Sequence, residues 1–240
     1  MSSSSPDFVP DGVLPVRKPS GMTSHDVVAI VRRKLGVRRI GHTGTLDPLA
    51  EGLLLLLIGR ATSQQQAFQG HDKAYEVDIA LGAQTDTGDA DGTVIATAPV
   101  PPLDASRVQQ ILADLEGPQT QTPPAYSAVK VQGRPSYWWA RHGTAVALPS
   151  RAIRIDRAEL LACGGQTLSL RISCSAGTYV RVLAETIAQR LGTVGHVSRL
   201  VRTRIDAYRL DDAMPLAWIQ QAGLPELQRA VQPLQVSRLP

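Results

Sequence analysis

Cysteine is nearly absent from these 240 residues, and the two present, Cys163 and Cys174, have neither C-x-x-C spacing nor histidines at a matching interval. That speaks against a zinc site and against a disulfide framework, and makes a reducing cytoplasm the expected setting. Long apolar runs are missing as well. The longest purely aliphatic stretch, 53–58, is far too short to span a bilayer, and residues 1–11 are Ser-rich with neither a basic lead nor an apolar core. Neither membrane insertion nor secretion is expected. There is no G-x-x-x-x-G-K-[ST], no G-x-G-x-x-G, no G-x-S-x-G and no H-E-x-x-H, so nucleotide hydrolysis, dinucleotide redox chemistry, serine hydrolysis and zinc proteolysis lack their usual signatures. Segment 86–92 has the look of a calcium loop, but aligning Gly92 on the loop glycine puts Thr87 at the first acid and Ala98 at the bidentate Glu. No metal is expected, and what remains is carboxylate chemistry.

What is present suits a globular chain. Hydrophobic residues make up 43% and charged residues 19%, enough to fill a core and too apolar for wholesale disorder. The net charge is only +4, which allows a polyanionic partner without demanding one. The distribution says more: Arg32, Arg33, Lys34, Arg38 and Arg39 crowd one stretch, and Arg190, Arg199, Arg202 and Arg204 a second. Two such clusters could line one groove for a phosphate backbone; the plainer alternative is a solvated helix face.

Along the chain, residues 1–12 read as a disordered lead-in and 13–16 as a short strand. A helix follows, capped by Thr23 or Ser24 with Asp26 in its first turn and stopped at Gly36. The run 53–58 lacks polar alternation and predicts a strand covered on both faces, whereas 73–82 alternates, with Tyr75 on the apolar side. A turn at 86–92, a strand at 93–97, a helix at 104–115, a hairpin of 153–161 with 167–174, a helix at 179–191 and a strand at 196–205 complete the reading. Strands joined by hairpins and interrupted by helices predict an α+β fold with a mixed, largely antiparallel central sheet flanked by helices and loops. Segment 121–149 combines prolines and glycines with Tyr126, Tyr137, Trp138 and Trp139, a mixture typical of a protruding binding element.

Two places could carry chemistry. Asp47 sits in a loop with two glycines and a proline at the edge of a buried strand, which gives a fixed backbone and a partly desolvated carboxylate, as a nucleophile requires; a turn-forming Asp-Pro pair is the alternative use. Tyr179 and Arg181 fall at a helix N-terminus, where anions are favoured and where Arg181 could pair with a carboxylate.

Together the motifs resemble the TruB family of tRNA pseudouridine synthases, which act at position 55 of the T-loop. Lys18-Pro19-Ser20-Gly21-Met22-Thr23-Ser24 with Asp26 is similar to the family's opening motif, and Gly41-His42-Thr43-Gly44-Thr45-Leu46-Asp47-Pro48-Leu49-Ala50-Glu51-Gly52 to its catalytic loop. Tyr75 with Leu81-Gly82, Thr85-Asp86-Thr87 with Asp89, Pro123-Pro124-Ala125-Tyr126-Ser127-Ala128-Val129-Lys130, and Gly177-Thr178-Tyr179-Val180-Arg181 follow in the family's order. The resemblance runs from about Leu14 to Leu210.

It implies the pseudouridine synthase fold and an enzyme without metal or organic cofactor, in which Asp47 attacks, Arg181 is its ion-pair partner, Tyr75 stacks on the target base and Tyr179 lines the same pocket. His42 would help fill the T-loop once the uridine is flipped out, 121–146 would be an RNA-gripping thumb, and Lys18, Arg38, Arg39, Tyr126, Lys130, Arg141 and Arg202 would touch RNA. The T-arm of tRNA is the expected partner, with no obligate protein partner and a monomer as the default. Two departures stand out: Ser63 replaces a lysine common in the family, and residues 211–240 form a tail too short for the PUA RNA-binding domain that many bacterial members carry, either a truncated remnant or a helix packing on the catalytic body. The rival readings are a non-catalytic tRNA-binding or tRNA-folding protein using the same groove, and a carboxylate hydrolase pairing Asp47 with Glu51.

Overall fold

A computed structural model describes residues 11–234. In chain order the elements are β1 (Gly12–Lys18), α1 (Ser24–Leu35), β2 (Ile40–His42), β3 (Glu51–Ile58), α2 (Gln65–Gln69), β4 (Lys73–Leu81), β5 (Ala83–Thr85), β6 (Val94–Thr97), α3 (Ala105–Ala113) and β7 (Gly117–Gln121). There follow β8 (Lys130–Val131), β9 (Arg134–Pro135), α4 (Ser136–Arg141), β10 (Arg151–Gly164), β11 (Thr167–Cys174), α5 (Val180–Leu191), β12 (Gly195–Ile205), β13 (Tyr208–Arg209), β14 (Met214–Pro215), α6 (Leu216–Gln221) and α7 (Leu224–Ala230). The architecture is α+β with mixed sheet pairing, as expected.

The described residues divide into two compact units, one of residues 11–71 with 201–234 and one of residues 72–200. The sequence left 211–240 as a short tail after a body over 13–210, either a truncated remnant or a helix packing on that body. Leu216, Ile219, Leu227 and Val231 pack in one apolar cluster with Val27, Val31, Leu54 and Leu56. The lead-in is shorter than expected. Gly12 already pairs with Ile58, and Asp11 accepts a 2.6 Å hydrogen bond from the Arg60 amide; the rest of that expectation, residues 1–10, lies outside the described residues.

In the first unit β3 is the central strand. It pairs with β1 antiparallel along its whole length, with β2 antiparallel near its end, and with Val201 and Arg202 of β12 parallel at its start. Its leucines divide by parity: Leu54, Leu56 and Ile58 face the cluster beneath α1, α6 and α7, while Leu53, Leu55 and Leu57 meet Ala61, Phe68, Ile205 and Ala213. Both faces are covered, which is the physical reason the run shows no polar alternation. Full burial of each of these leucines contributes roughly 1.5–3 kcal/mol. Helix α1 starts on a capping box in which Thr23 Oγ1 accepts from the Asp26 amide and the Asp26 carboxylate accepts from the Thr23 amide. It ends at Gly36, whose φ of 67° needs no Cβ.

In the second unit β4, β11, β10 and β7 form an antiparallel series, and α3 and α5 pack on it. The β10–β11 hairpin turns at Gly165, as its Gly-Gly pair predicts. Strand β6 pairs with the short β5. Strand β7 carries two glutamines and a proline in five residues and gave no apolar pattern to read.

Candidate active site

In the first unit the loop between β2 and β3 holds Asp47. The Ser24 hydroxyl donates to the Leu46 carbonyl (3.1 Å) and accepts from the Leu46 amide (2.9 Å), so the residue before Asp47 is fixed by one side chain from the start of α1. The Gly21 amide donates to the Pro48 carbonyl at 2.9 Å, and the Asp47 carbonyl accepts from the Ala50 amide at 3.1 Å. Asp47 itself is half-buried. The loop is thus held from both sides, the condition for a side chain that must act in one geometry.

Lys18 and Arg202 require a correction. The resemblance assigned both to RNA contact, yet Lys18 is fully buried and Arg202 is 1% exposed. The Lys18 ammonium donates to the carbonyls of Pro19 (2.9 Å), Pro48 (3.3 Å) and Ala50 (2.6 Å). Arg202 donates from Nε to the Leu53 carbonyl (2.8 Å) and from Nη2 to the Gly44 carbonyl (3.1 Å). These cations hold the Asp47 loop from beneath. A buried charge is tolerated only with partners, and here the partners are the loop's own peptide groups. Burial pushes the Lys18 ammonium down to about 8, although Asp47 and Glu51 pull the other way. Gly52 sits where the loop enters β3 with φ 107°, and a Cβ there would lie 2.4 Å from the Arg202 carbonyl oxygen, so only glycine fits.

His42 lies at the start of the loop, its ring edge-on to that of His25 with centroids 5.3 Å apart. Burial, with His25 and Arg202 adding to it, lowers its pKa to about 4, so its ring is neutral at ordinary pH. Its Nδ1 and the neighbouring Thr43 hydroxyl are buried without a hydrogen-bond partner. Arg38 and Arg39 are exposed just beyond α1.

The second unit holds Tyr75, Tyr126, Tyr179 and Arg181. Tyr75 on β4 is 7% exposed and opposite Ile172 of β11; the odd-numbered residues of the strand are buried, as the alternation predicts. Arg181, in the first turn of α5, is 5% exposed. It donates to the Thr87 carbonyl and, at 2.8 Å, to the Tyr126 carbonyl, and its Nε is 3.8 Å from an oxygen of buried Asp89. Asp89 is oriented in turn by the Thr87 hydroxyl (2.6 Å) and the Asp91 amide (3.2 Å). Sequence reasoning read 86–92 as an acidic turn and gave Asp89 no role; its place in the ordered Thr85-Asp86-Thr87 motif was the available signal. Tyr179 is the residue before α5, its phenol oxygen accepting from Arg151 (3.1 Å). Lys130 and Arg141 are exposed on segment 122–150, where Arg141 lies 5.5 Å from the Tyr137 ring centroid and Arg134 4.1 Å from that of Trp138.

The fold has solved counterparts. One chain of a Cbf5-Nop10-Gar1 complex is 27% identical with a TM-score of 0.71, covering 92% of this chain; this chain spans 60% of that one. A chain of an H/ACA RNP bound to a substrate RNA containing 2'-deoxyuridine, at 23% identity and a TM-score of 0.67, covers 96% of this chain and is covered to 65%, and bears on the fold alone. These likenesses bear on the α+β fold, and the class of enzyme comes from the family match, to a pseudouridylate synthase.

The family follows from sequence. Residues 32–180 match the TruB family pseudouridylate synthase (N terminal domain), and the chain belongs to that family. It is 47% identical over 224 residues to the tRNA pseudouridine synthase B of Opitutus terrae, covering 93% of each. With the protein of the same name from Geobacillus kaustophilus it shares 47% identity over 211 residues, covering 85% of this chain and 74% of that protein.

Proposed function

We propose that this protein isomerises uridine to pseudouridine at position 55 in the T-loop of tRNA, in the cytoplasm, as a monomer without metal or organic cofactor. The observation that carries the reading is the Asp47 loop: its sequence matches the family's catalytic loop, and its carboxylate is held by a backbone tied down at Gly44, Leu46, Pro48 and Ala50. Near-full-length identity with proteins named tRNA pseudouridine synthase B supports the substrate.

In the reaction the N1–C1′ bond breaks, the uracil turns, and C5 bonds to the same ribose carbon. The C5 proton goes to a base and N1 gains one, so the nucleotide neither loses nor takes up an atom. The target base must first leave its stack, at a cost of a few kcal/mol that protein contacts replace. Asp47 is the nucleophile, Tyr75 the aromatic wall for the base, Tyr179 a lining group, and Arg181 the counter-charge that favours the ionised acid. His42, neutral and half-buried, presents an uncharged ring to the space the base vacates. Arg38, Arg39, Lys130 and Arg141 supply phosphate contacts, with Tyr126 beside them on segment 122–150.

Incubating the protein with unmodified T-arm RNA and analysing the nucleosides tests this directly. Pseudouridine should form in the presence of a chelator. Uridine left unchanged in a stable complex would indicate an RNA-binding protein instead. Asp47→Asn should keep RNA affinity within about threefold while turnover falls at least a thousandfold, as removal of a nucleophile does; appreciable remaining activity would remove Asp47 from that role.

A further inference from the structure

Segment 122–150 departs from the end of β7 and returns at the start of β10, where the two strands are paired. Gln121, the last residue of β7, is the register partner of Arg151, the first residue of β10. One step further out the Thr122 and Ser150 hydroxyls are 2.7 Å apart. Gln121 and Arg151 both hold Tyr179. Gln121 is 6% exposed and pairs its amide with the two peptide groups of Tyr179, accepting from the N–H at 2.7 Å and donating to the carbonyl at 3.0 Å. Tyr179 occupies the N-cap of α5 and its own side chain caps nothing; its backbone N–H, one of the orphan donors of the helix start, is satisfied from β7.

Arg151 takes the ring. Its Nη2 donates to the phenol oxygen at 3.1 Å, and its Cζ lies 4.9 Å from the ring centroid. A Cβ on Gly177 would stand 3.2 Å from Arg151 Nη1, which places the guanidinium close over the turn that enters α5. A third tie joins the segment itself to this helix: Arg181 donates to the carbonyl of Tyr126 at 2.8 Å. A helix N-terminus and a phenol are ordinarily satisfied by a local Ser, Thr or Asp and by water. Here the Tyr179 N–H and its phenol take their partners from the residues at the two ends of a cation-bearing segment. Any force that reorients Gln121 and Arg151 therefore reorients Tyr179 and, two residues on, Arg181.

We propose that Gln121 and Arg151 are positioning residues that couple RNA docking on segment 122–150 to the placement of Tyr179 and Arg181 for the isomerisation. RNA that favours one disposition of the segment then favours one disposition of the phenol and guanidinium, by the same free energy in both directions. The inference rests on the synthase reading.

The test uses the full chain and T-arm RNA, with single-turnover rate and RNA affinity measured side by side. Arg151→Met should slow pseudouridine formation about tenfold or more, the scale of losing a hydrogen bond to a charged group, with affinity within about threefold of the parent. Combined with Tyr179→Phe, the loss should be markedly less than the product of the two single losses. Gln121→Glu is the second variant: only the protonated carboxyl can donate to the Tyr179 carbonyl, so its rate relative to the parent should recover as pH falls. A parental rate in Arg151→Met, a loss expressed wholly as weaker RNA binding, or independent effects of Arg151 and Tyr179 would overturn the coupling. Should Arg151→Met fail to fold, a Gln121→Glu to parent ratio that stays flat with pH overturns it alone. A parent chain that binds T-arm RNA and leaves uridine intact would overturn the proposed function instead.

Discussion

His42 carries a testable consequence of burial at the scale of one residue. Its folded pKa of about 4 lies below the ordinary 6.5, so as pH falls the unfolded chain takes up the proton first. The stability this histidine contributes is intact above pH 6.5 and is lost progressively down to about 4. His42→Gln should therefore have a shallower decline in urea midpoint between those values than the parent; identical slopes would mean that the ring is hydrated. The same scale shows what a sequence conceals. The fixed backbone around Asp47 was legible, because two glycines and a proline beside an aliphatic run mark a constrained loop. Lys18 and Arg202 were expected to touch RNA, since a letter records charge and not depth. Only the fold shows that their donors end on the carbonyls of Pro48, Ala50, Gly44 and Leu53.

Among the elements, β3 and the loop ahead of it are the most constrained. Gly52 joins them at a φ of 107°, with the Arg202 backbone against its Cα. Gly52→Ala should cost roughly 1–3 kcal/mol from the backbone conformation alone, more once the contact with Arg202 is included, and a thermal melt would register it as a clear fall in Tm. An unchanged Tm would mean that the loop enters β3 differently. Elements with strong periodicity or strong ends were readable: α1 through its capping box and Gly36, β3 through its unbroken leucines, β4 through alternation. Strand β7 was not, because Gly117-Pro118-Gln119-Thr120-Gln121 has no apolar face, and its pairing with β10 is the reason it is a strand. The role of its last residue, Gln121, was hidden for the same reason, since its partner Tyr179 is 58 positions away.

For the whole molecule, the last thirty residues are the sharpest case. The sequence left open whether 211–240 is a remnant or packs on the catalytic body; Leu216, Ile219 and Leu227 are buried among the side chains of α1 and β3, and Gln232 pairs with Val13. A chain ending after Leu210 should expose that face and fail to melt cooperatively, or aggregate; a truncated chain with the parental Tm would return these residues to the status of an appendage. The sequence by itself determined the family, the loop that bears Asp47 and the alternation that turns Tyr75 inward, because local spacing and chain-order motifs survive without coordinates. Tertiary structure alone decided which charges lie under the loop, which residues anchor Tyr179 and Arg181, and which unit the end of the chain completes. Burial and hydrogen bonding depend on neighbours that are distant in sequence, and no local pattern encodes them.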